Sequence, residues 1–265
     1  MRTTVPSTTP VTRVVLVLAK APVAGRVKTR LTTATTPAGA ADIAAAALLD
    51  TLDAARAVRD AQVVVALEGD PADAERRDEI TAALAGTVVV PQRGATLGER
   101  ITAAHDDVAD AFPGAVSVQI GMDTPQVDPA VLTAALDLVT TDADAALGRA
   151  HDGGWWALAL ADPHRAGLVA DVPTSRDDTG ARTLAELRVG LTPSRVRELP
   201  PLSDVDTPDD AVAVADLAPT GRFARAVADL VPTGHVARAA ADVVPAAGSS
   251  SAPLRLPVIP GGLPR

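Results

Sequence analysis

Short β-branched runs alternate along this chain with long Ala- and Leu-rich stretches, and that alternation restricts the fold more than any other feature. The runs Arg13 to Ala19, Gln62 to Leu67, Thr87 to Val90, Ala115 to Ile120, Ala143 to Leu147, Trp155 to Leu160 and Ser194 to Leu199 read as strands. Between them Ala38 to Val58, Ala72 to Leu84, Leu97 to Ala111, Pro129 to Val139 and Thr179 to Val189 read as helices, several opening after Pro, Asp or Thr. Apolar strands separated by helices bury both faces of a sheet, so the expectation is an α/β fold, a mostly parallel sheet covered by helices.

A helix over Asp209 to Leu217 closes the expected core, which spans 13–218. The Thr/Ser/Pro-rich stretch 1–12 has little to bury and reads as a disordered leader. Beyond it, 219–245 reads as an appended helical segment and the Gly/Ser/Pro-rich 246–265 as a disordered tail.

With 265 residues, 47% of them hydrophobic, the chain buries one good core. Its 24 basic and 33 acidic residues give a formal charge of -9, so no general attraction to nucleic acid is expected and any affinity for phosphate is local. Cysteine is absent, which excludes disulfides, thiolate metal sites and cysteine nucleophiles. Arg13 and the apolar run after it mimic a secretory signal, but the run is short and more positive charge follows it, so the chain reads as cytoplasmic with no membrane span.

The segment Lys20-Ala-Pro-Val-Ala-Gly-Arg-Val-Lys-Thr-Arg-Leu31 directly follows the first apolar run. Gly25 relaxes the backbone, Lys20, Lys28 and Arg30 can converge on phosphate oxygens, and Thr29 adds a hydroxyl. Val27 stands where a Walker A loop needs Gly before its Lys, so this is a different anion-binding loop.

Gly121-Met-Asp-Thr-Pro125 follows another expected strand. A carboxylate at a strand end is well placed to hold a divalent cation against phosphates, so Asp123 is the leading ligand for Mg²⁺ or Mn²⁺. In Leu202-Ser-Asp-Val-Asp-Thr-Pro-Asp-Asp210 one of Asp204 and Asp206 is expected to reach the same metal as Asp123, and Asp206 is favoured as that second ligand. Thr207, Pro208, Asp209 and Asp210 suit a helix start.

In Gly148-Arg-Ala-His-Asp-Gly-Gly-Trp-Trp156, Gly153 and Gly154 would let the backbone approach a ligand, and Asp152 could accept from a sugar or acceptor hydroxyl. The same stretch also reads as a hairpin turn with one Trp in the core and one on the opposite face, and His151 as an incidental loop histidine. Gln92-Arg-Gly-Ala-Thr-Leu-Gly-Glu-Arg100 enters a helix, with Gln92 or Arg93 available to read a base or phosphate.

Taken in order, these motifs over roughly Val14 to Leu217 resemble the bacterial GT-A-like family called rSAM/selenodomain-associated transferase 1. The resemblance implies a nucleotide-diphospho-sugar transferase fold, a three-layer α/β/α sandwich, and the label of glycosyltransferase. Glycosyltransferases of this fold that use a metal carry Asp-x-Asp at the strand end, whereas Gly121 stands two residues before Asp123. A single Asp with a late Asp-x-Asp-Thr-Pro is more similar to nucleotidyltransferases such as 2-phospho-L-lactate guanylyltransferase.

The reading is therefore a transferase using Mg²⁺ and a nucleotide-activated donor, with Asp123, Asp152 and Lys28 in catalytic roles and Asp123 and Asp206 on the metal. Its expected partners are a nucleotide sugar or NTP and a small-molecule acceptor. Glycosyl transfer leads, nucleotidyl transfer with release of pyrophosphate is the alternative, and a nucleotide-binding module without turnover is a third possibility.

Overall fold

The computed structural model describes residues 10–230. The sequence readings for 1–9 and for 231–265 lie outside the described residues.

Seven strands form one sheet: β1 (Arg13–Lys20), β2 (Gln62–Glu68), β3 (Val88–Pro91), β4 (Val116–Gly121), β5 (Ala145–Ala150), β6 (Trp155–Leu160) and β7 (Val196–Leu202). Their order is β3-β2-β1-β4-β6-β5-β7. Strand β6 runs antiparallel to both of its neighbours, and the other pairings are parallel. The α/β fold expected from the alternation is present.

The α-helices of the described residues are α1 (Pro37–Ala57), α2 (Arg77–Leu84), α3 (Leu97–Ala111), α4 (Pro129–Thr141), α5 (Thr179–Gly190), α6 (Pro208–Leu217) and α7 (Arg222–Leu230), with four short 3-10 helices between elements. Side chains alternate along β1 between two layers. Val15, Val17 and Ala19 pack in a cluster with α1 and α4, while Val14 and Leu16 pack with Ala104 and Val108 of α3. Helix α1 also carries a second buried face, where Ile43, Ala46 and Ala47 meet Val214 of α6 and Phe223 of α7. A helix covered on two sides needs small side chains, which accounts for its alanine content.

Helix α7 is tied to α1 by polar contacts as well, since Asp50 accepts from the backbone N–H groups of Arg222 and Phe223. The packed unit thus continues past residue 218.

Element edges differ from the sequence expectation in one instructive place. The helix expected from Ala72 divides into a 3-10 turn, Pro71–Asp73, and α2, which starts only at Arg77. Between them Arg76 adopts a left-handed conformation (φ 52°) and its guanidinium grips Asp42 of α1 through two bonds of 2.6 and 2.8 Å. This long-range ion pair sets where the helix begins. Propensity alone would have carried the helix back to Ala72.

The chain leaves β1 towards β2 and β3 on one side and returns to β4 on the other. Strand order reverses between β1 and β4, and in open α/β sheets the crevice beyond the carboxyl ends of such strands is where ligands bind.

Candidate active site

A cleft of about 560 Å³ opens at that crevice. The segment after β1 enters it through two apolar anchors. Val27 is buried against Ala41 and Ala44 of α1, and Leu31 sits in the cluster joining α1, α6 and α7. Held between those anchors, Lys28 takes a left-handed backbone conformation, φ 45° and ψ 40°. For a residue with a side chain this conformation costs about 1–2 kcal/mol, and the surrounding packing maintains it.

Its ammonium is thereby turned inward. Lys28 Nζ lies 2.7 Å from Asp123 Oδ2 and 3.4 Å from Asp206 Oδ1, and the side chain is only 12% exposed. Burial by itself would lower the lysine pKa. The charges of Asp123, Asp206 and Asp204, together with the hydrogen bond to Asp123, outweigh burial and raise it above the ordinary value. Arg30 Nη1 meets the other oxygen of Asp206 at 2.7 Å from a far more exposed position. Lys28, Arg30, Asp123 and Asp206 therefore form one cluster, as their strand-end positions suggested.

Asp204 belongs to the same cleft. Asp204 and Asp206 stand two residues apart, the spacing that shares one face of an extended chain, so both carboxylates line the cleft where only one was expected to reach it. Partial burial, followed by the charges of Asp123, Asp152 and Asp206, raises its pKa to about 6, against a smaller lowering by Lys28. Val205, between the two acids, is the residue that points into the core.

Asp152 lies at the tip of the β5–β6 hairpin and lines the cleft, with Oδ1 accepting from Gly154 N–H at 2.8 Å. The adjacent indoles divide as a hairpin demands. Trp156 is buried and donates to the carbonyl of Pro200 at 3.0 Å, while Trp155 forms part of the cleft wall. Gly154 lines the cleft, but Gly153 is required for packing: a Cβ there would lie 1.9 Å from the carbonyl oxygen of Asp177, and its own carbonyl accepts from Gly180 N–H. His151 faces a separate cleft behind the hairpin.

The remaining sequence candidates separate by environment. Lys20 lines the cleft and pairs with Glu68 at 3.6 Å. Gln92 also lines it, with its amide donating to the carbonyls of Ala19 and Ala66, so its own oxygen is the group left for a ligand. Thr29 lines a smaller pocket on the outer side of Lys28 and Arg30. Gly25 occupies an exposed turn, φ 75°, with open space around it. Arg93 does not reach the cleft, because both arms of its guanidinium are engaged by Asp107 of α3 at 2.7 and 2.8 Å.

Several cleft residues were not singled out from the sequence, among them Arg100, Ser175, Arg176 and Gln119. Arg100, in the first turn of α3, reaches back to Glu68 of β2 and to the carbonyl of Gly94, while Glu99 beside it completes the capping box with Thr96. Ser175 holds a left-handed conformation, φ 60°, and Arg176 follows it on a loop over the cleft. Gln119 rises from the middle of β4. The motif Leu-Gly-Glu-Arg contains a signal for Arg100, since the residue after a capping-box Glu emerges on a different helix face. For the loop residues no sequence pattern supplies one.

Among the described residues no group of three or more His, Cys, Asp or Glu side chains is arranged to hold a metal ion. Asp123 and Asp206 nevertheless converge on one ammonium, which stands where a cation held by two carboxylates would sit. Mg²⁺ typically takes one or two protein carboxylates and keeps water or phosphate at its other positions, so this pair fits it.

Residues 51–176 match the model of a family described as "Uncharacterized protein conserved in bacteria (DUF2064)". No curated protein matches the chain. Among solved structures, a protein of Desulfovibrio desulfuricans G20 provisionally named a nucleotide-diphospho-sugar transferase is similar, at 24% identity over 82% of this chain and 97% of that one, with a TM-score of 0.67. A CMP:2-keto-3-deoxy-manno-octonic acid synthetase complexed with CTP is similar at 14% identity, over 78% of this chain and 98% of the other, with a TM-score of 0.50. These likenesses place the chain's fold with those of nucleotide-diphospho-sugar transferases and cytidylyltransferases.

Proposed function

We propose that this protein is a transferase that acts on a nucleotide-activated donor, and that it transfers a glycosyl group from a nucleotide sugar. The observation that carries the reading is the clasp of Lys28 between Asp123 and Asp206 at the β1/β4 crevice. Cations and paired carboxylates at one strand end match the needs of a diphosphate that leaves with its charge neutralised.

Asp123 and Asp206 would hold a divalent cation, which supplies charge neutralisation on the donor's phosphates when bound. Lys28 and Arg30 would donate to phosphate oxygens, Lys28 from a nearly buried position and Arg30 from the rim. Asp152 would accept a hydrogen bond from a sugar or acceptor hydroxyl through the oxygen that Gly154 leaves free. With Asp204 it makes that end of the cleft acidic, a surface suited to a neutral, hydroxyl-bearing group and repellent to a second anion. Within the family resemblance, the rSAM/selenodomain-associated transferase 1 type is the reading consistent with these residues.

A second reading, nucleotidyl transfer from an NTP with release of pyrophosphate, is favoured by one feature. Gly121 stands where the first Asp of an Asp-x-Asp pair would be, so the end of β4 supplies the single carboxylate of Asp123. The carboxylates come instead one from β4 and one from the loop after β7.

The test is to screen nucleotide sugars and NTPs for thermal stabilisation with and without Mg²⁺, and then to identify the product formed from each ligand that binds. A nucleoside diphosphate released from a nucleotide sugar supports glycosyl transfer, and pyrophosphate released from an NTP supports the second reading. Stabilisation without any product would leave a binding module. Absence of binding by every donor would refute the nucleotide reading.

A further inference from the structure

Gln119 is only 3% exposed, yet its side chain lines the cleft. It lies midway along β4, on the face covered by α3. There Gln119 Oε1 is 3.2 Å from Nε2 of His105, which is fully buried on α3, and His105 Nδ1 is 3.3 Å from the hydroxyl of Ser117, two residues back along β4. With the Gln119 oxygen at Nε2, the imidazole carries its proton on that nitrogen and donates it. The other nitrogen accepts from Ser117. Both ring nitrogens are then satisfied, as a buried histidine requires.

The consequence falls on the other end of the amide. Because its oxygen is engaged by His105, the Gln119 NH₂ is the group left to face the cleft. The cleft it faces carries an apolar patch formed by Leu18 from β1, Ile101 from α3 and the Trp155 indole from β6. A donor held in one orientation beside an apolar patch selects a flat ring that presents an oxygen acceptor. Donors built into dry sites discriminate strongly, since a ligand lacking the acceptor leaves the donor without a partner.

We infer that Gln119 is a specificity-determining residue that reads a ring carbonyl of the donor's nucleobase, with His105 and Ser117 acting as positioning residues that fix the direction of its amide. Uracil, cytosine and guanine each carry a ring carbonyl. Adenine carries none, so adenine nucleotides are the class rejected. This inference rests on the nucleotide-donor reading and goes beyond it by naming the base class.

Nucleoside diphosphates are the appropriate probes, because a diphosphate is common to a nucleotide sugar and to an NTP. Isothermal titration of the full chain with UDP, CDP, GDP and ADP in the presence of Mg²⁺ should show at least one of the first three binding about tenfold or more tighter than ADP. Gln119→Met, which keeps length and loses the donor, should weaken that ligand and leave ADP unchanged, bringing the preference to within about threefold. His105→Leu should reduce the same ratio, which a purely structural contribution to folding would not alter.

ADP binding as tightly as the best carbonyl-bearing diphosphate overturns the inference, and so does a preference that survives Gln119→Met. The wild-type ratio is measured with no substitution, so a variant that fails to fold does not shield the idea. Failure of all four diphosphates to bind the wild-type chain refutes the nucleotide reading itself, and the assignment of Gln119 falls with it.

Discussion

Lys28 and Asp123, 95 residues apart in the chain, meet at 2.7 Å beyond the carboxyl ends of β1 and β4. The lysine reaches this point from a left-handed turn held by Val27 and Leu31, and the aspartate from the turn that ends β4. Each charge compensates the other in a partly desolvated position. Removing one of the pair therefore exposes a cost that the pair conceals.

Asp123→Ala should destabilise the protein by about 1–3 kcal/mol, because the nearly buried ammonium of Lys28 keeps only the longer contact to Asp206. Lys28→Met should cost less, and the double variant should be more stable than Asp123→Ala alone. Urea unfolding of all three supplies the coupling energy. Additive effects would show that the two charges do not support one another.

Gly121 lies beneath the Asp123 carboxylate. A methyl group placed there would sit 2.7 Å from Oδ1, so Gly121→Ala should turn Asp123 away from Lys28 while the buried strand behind it remains intact. The prediction is a loss of turnover of about 10²-fold, near that of losing one preorganised electrostatic group, with a melting temperature within a few degrees of wild type. Turnover at the wild-type level would show that Asp123 is not held by this contact.

Gly98 in the first turn of α3 has a purely packing role. A Cβ there would lie 2.0 Å from the carbonyl oxygen of Ala170, which is backbone and has little freedom to move. Gly98→Ala should cost about 1–3 kcal/mol in spite of alanine's better helix propensity, an outcome measurable by chemical denaturation. A stabilised variant would mean that α3 can shift away from the segment around Ala170.

His105 gives the stability a pH dependence with a defined sign. Burial, opposed by the hydrogen bond to Gln119 and by the charge of Asp106, lowers its pKa from 6.5 to about 4. The unfolded chain therefore binds this proton more readily, so the contribution is fully present above pH 6.5 and is lost as the pH falls towards 4. Between pH 7.5 and pH 5 the loss should be about 2 kcal/mol. Comparing urea unfolding of wild type and His105→Gln at both pH values isolates it, and equal slopes in the two proteins would exclude it.

The sequence determined the element order because strand and helix periodicities are local. The runs at Val14, Val63 and Val118, and the capping signatures at Thr96 and Thr207, locate their elements without reference to distant residues. It also placed Lys28, Asp123 and Asp206 at strand ends, since a polar residue directly after a buried apolar run has one place to go in an α/β fold. What required tertiary structure was every relation that depends on a partner far away in the chain. Asp107 takes Arg93 away from the cleft, Asp177 accounts for Gly153, Glu68 turns Arg100 inward, and His105 fixes the amide of Gln119. A side chain's residue type states which bonds it can make; only the folded chain decides which of them are already made and which remain for a ligand.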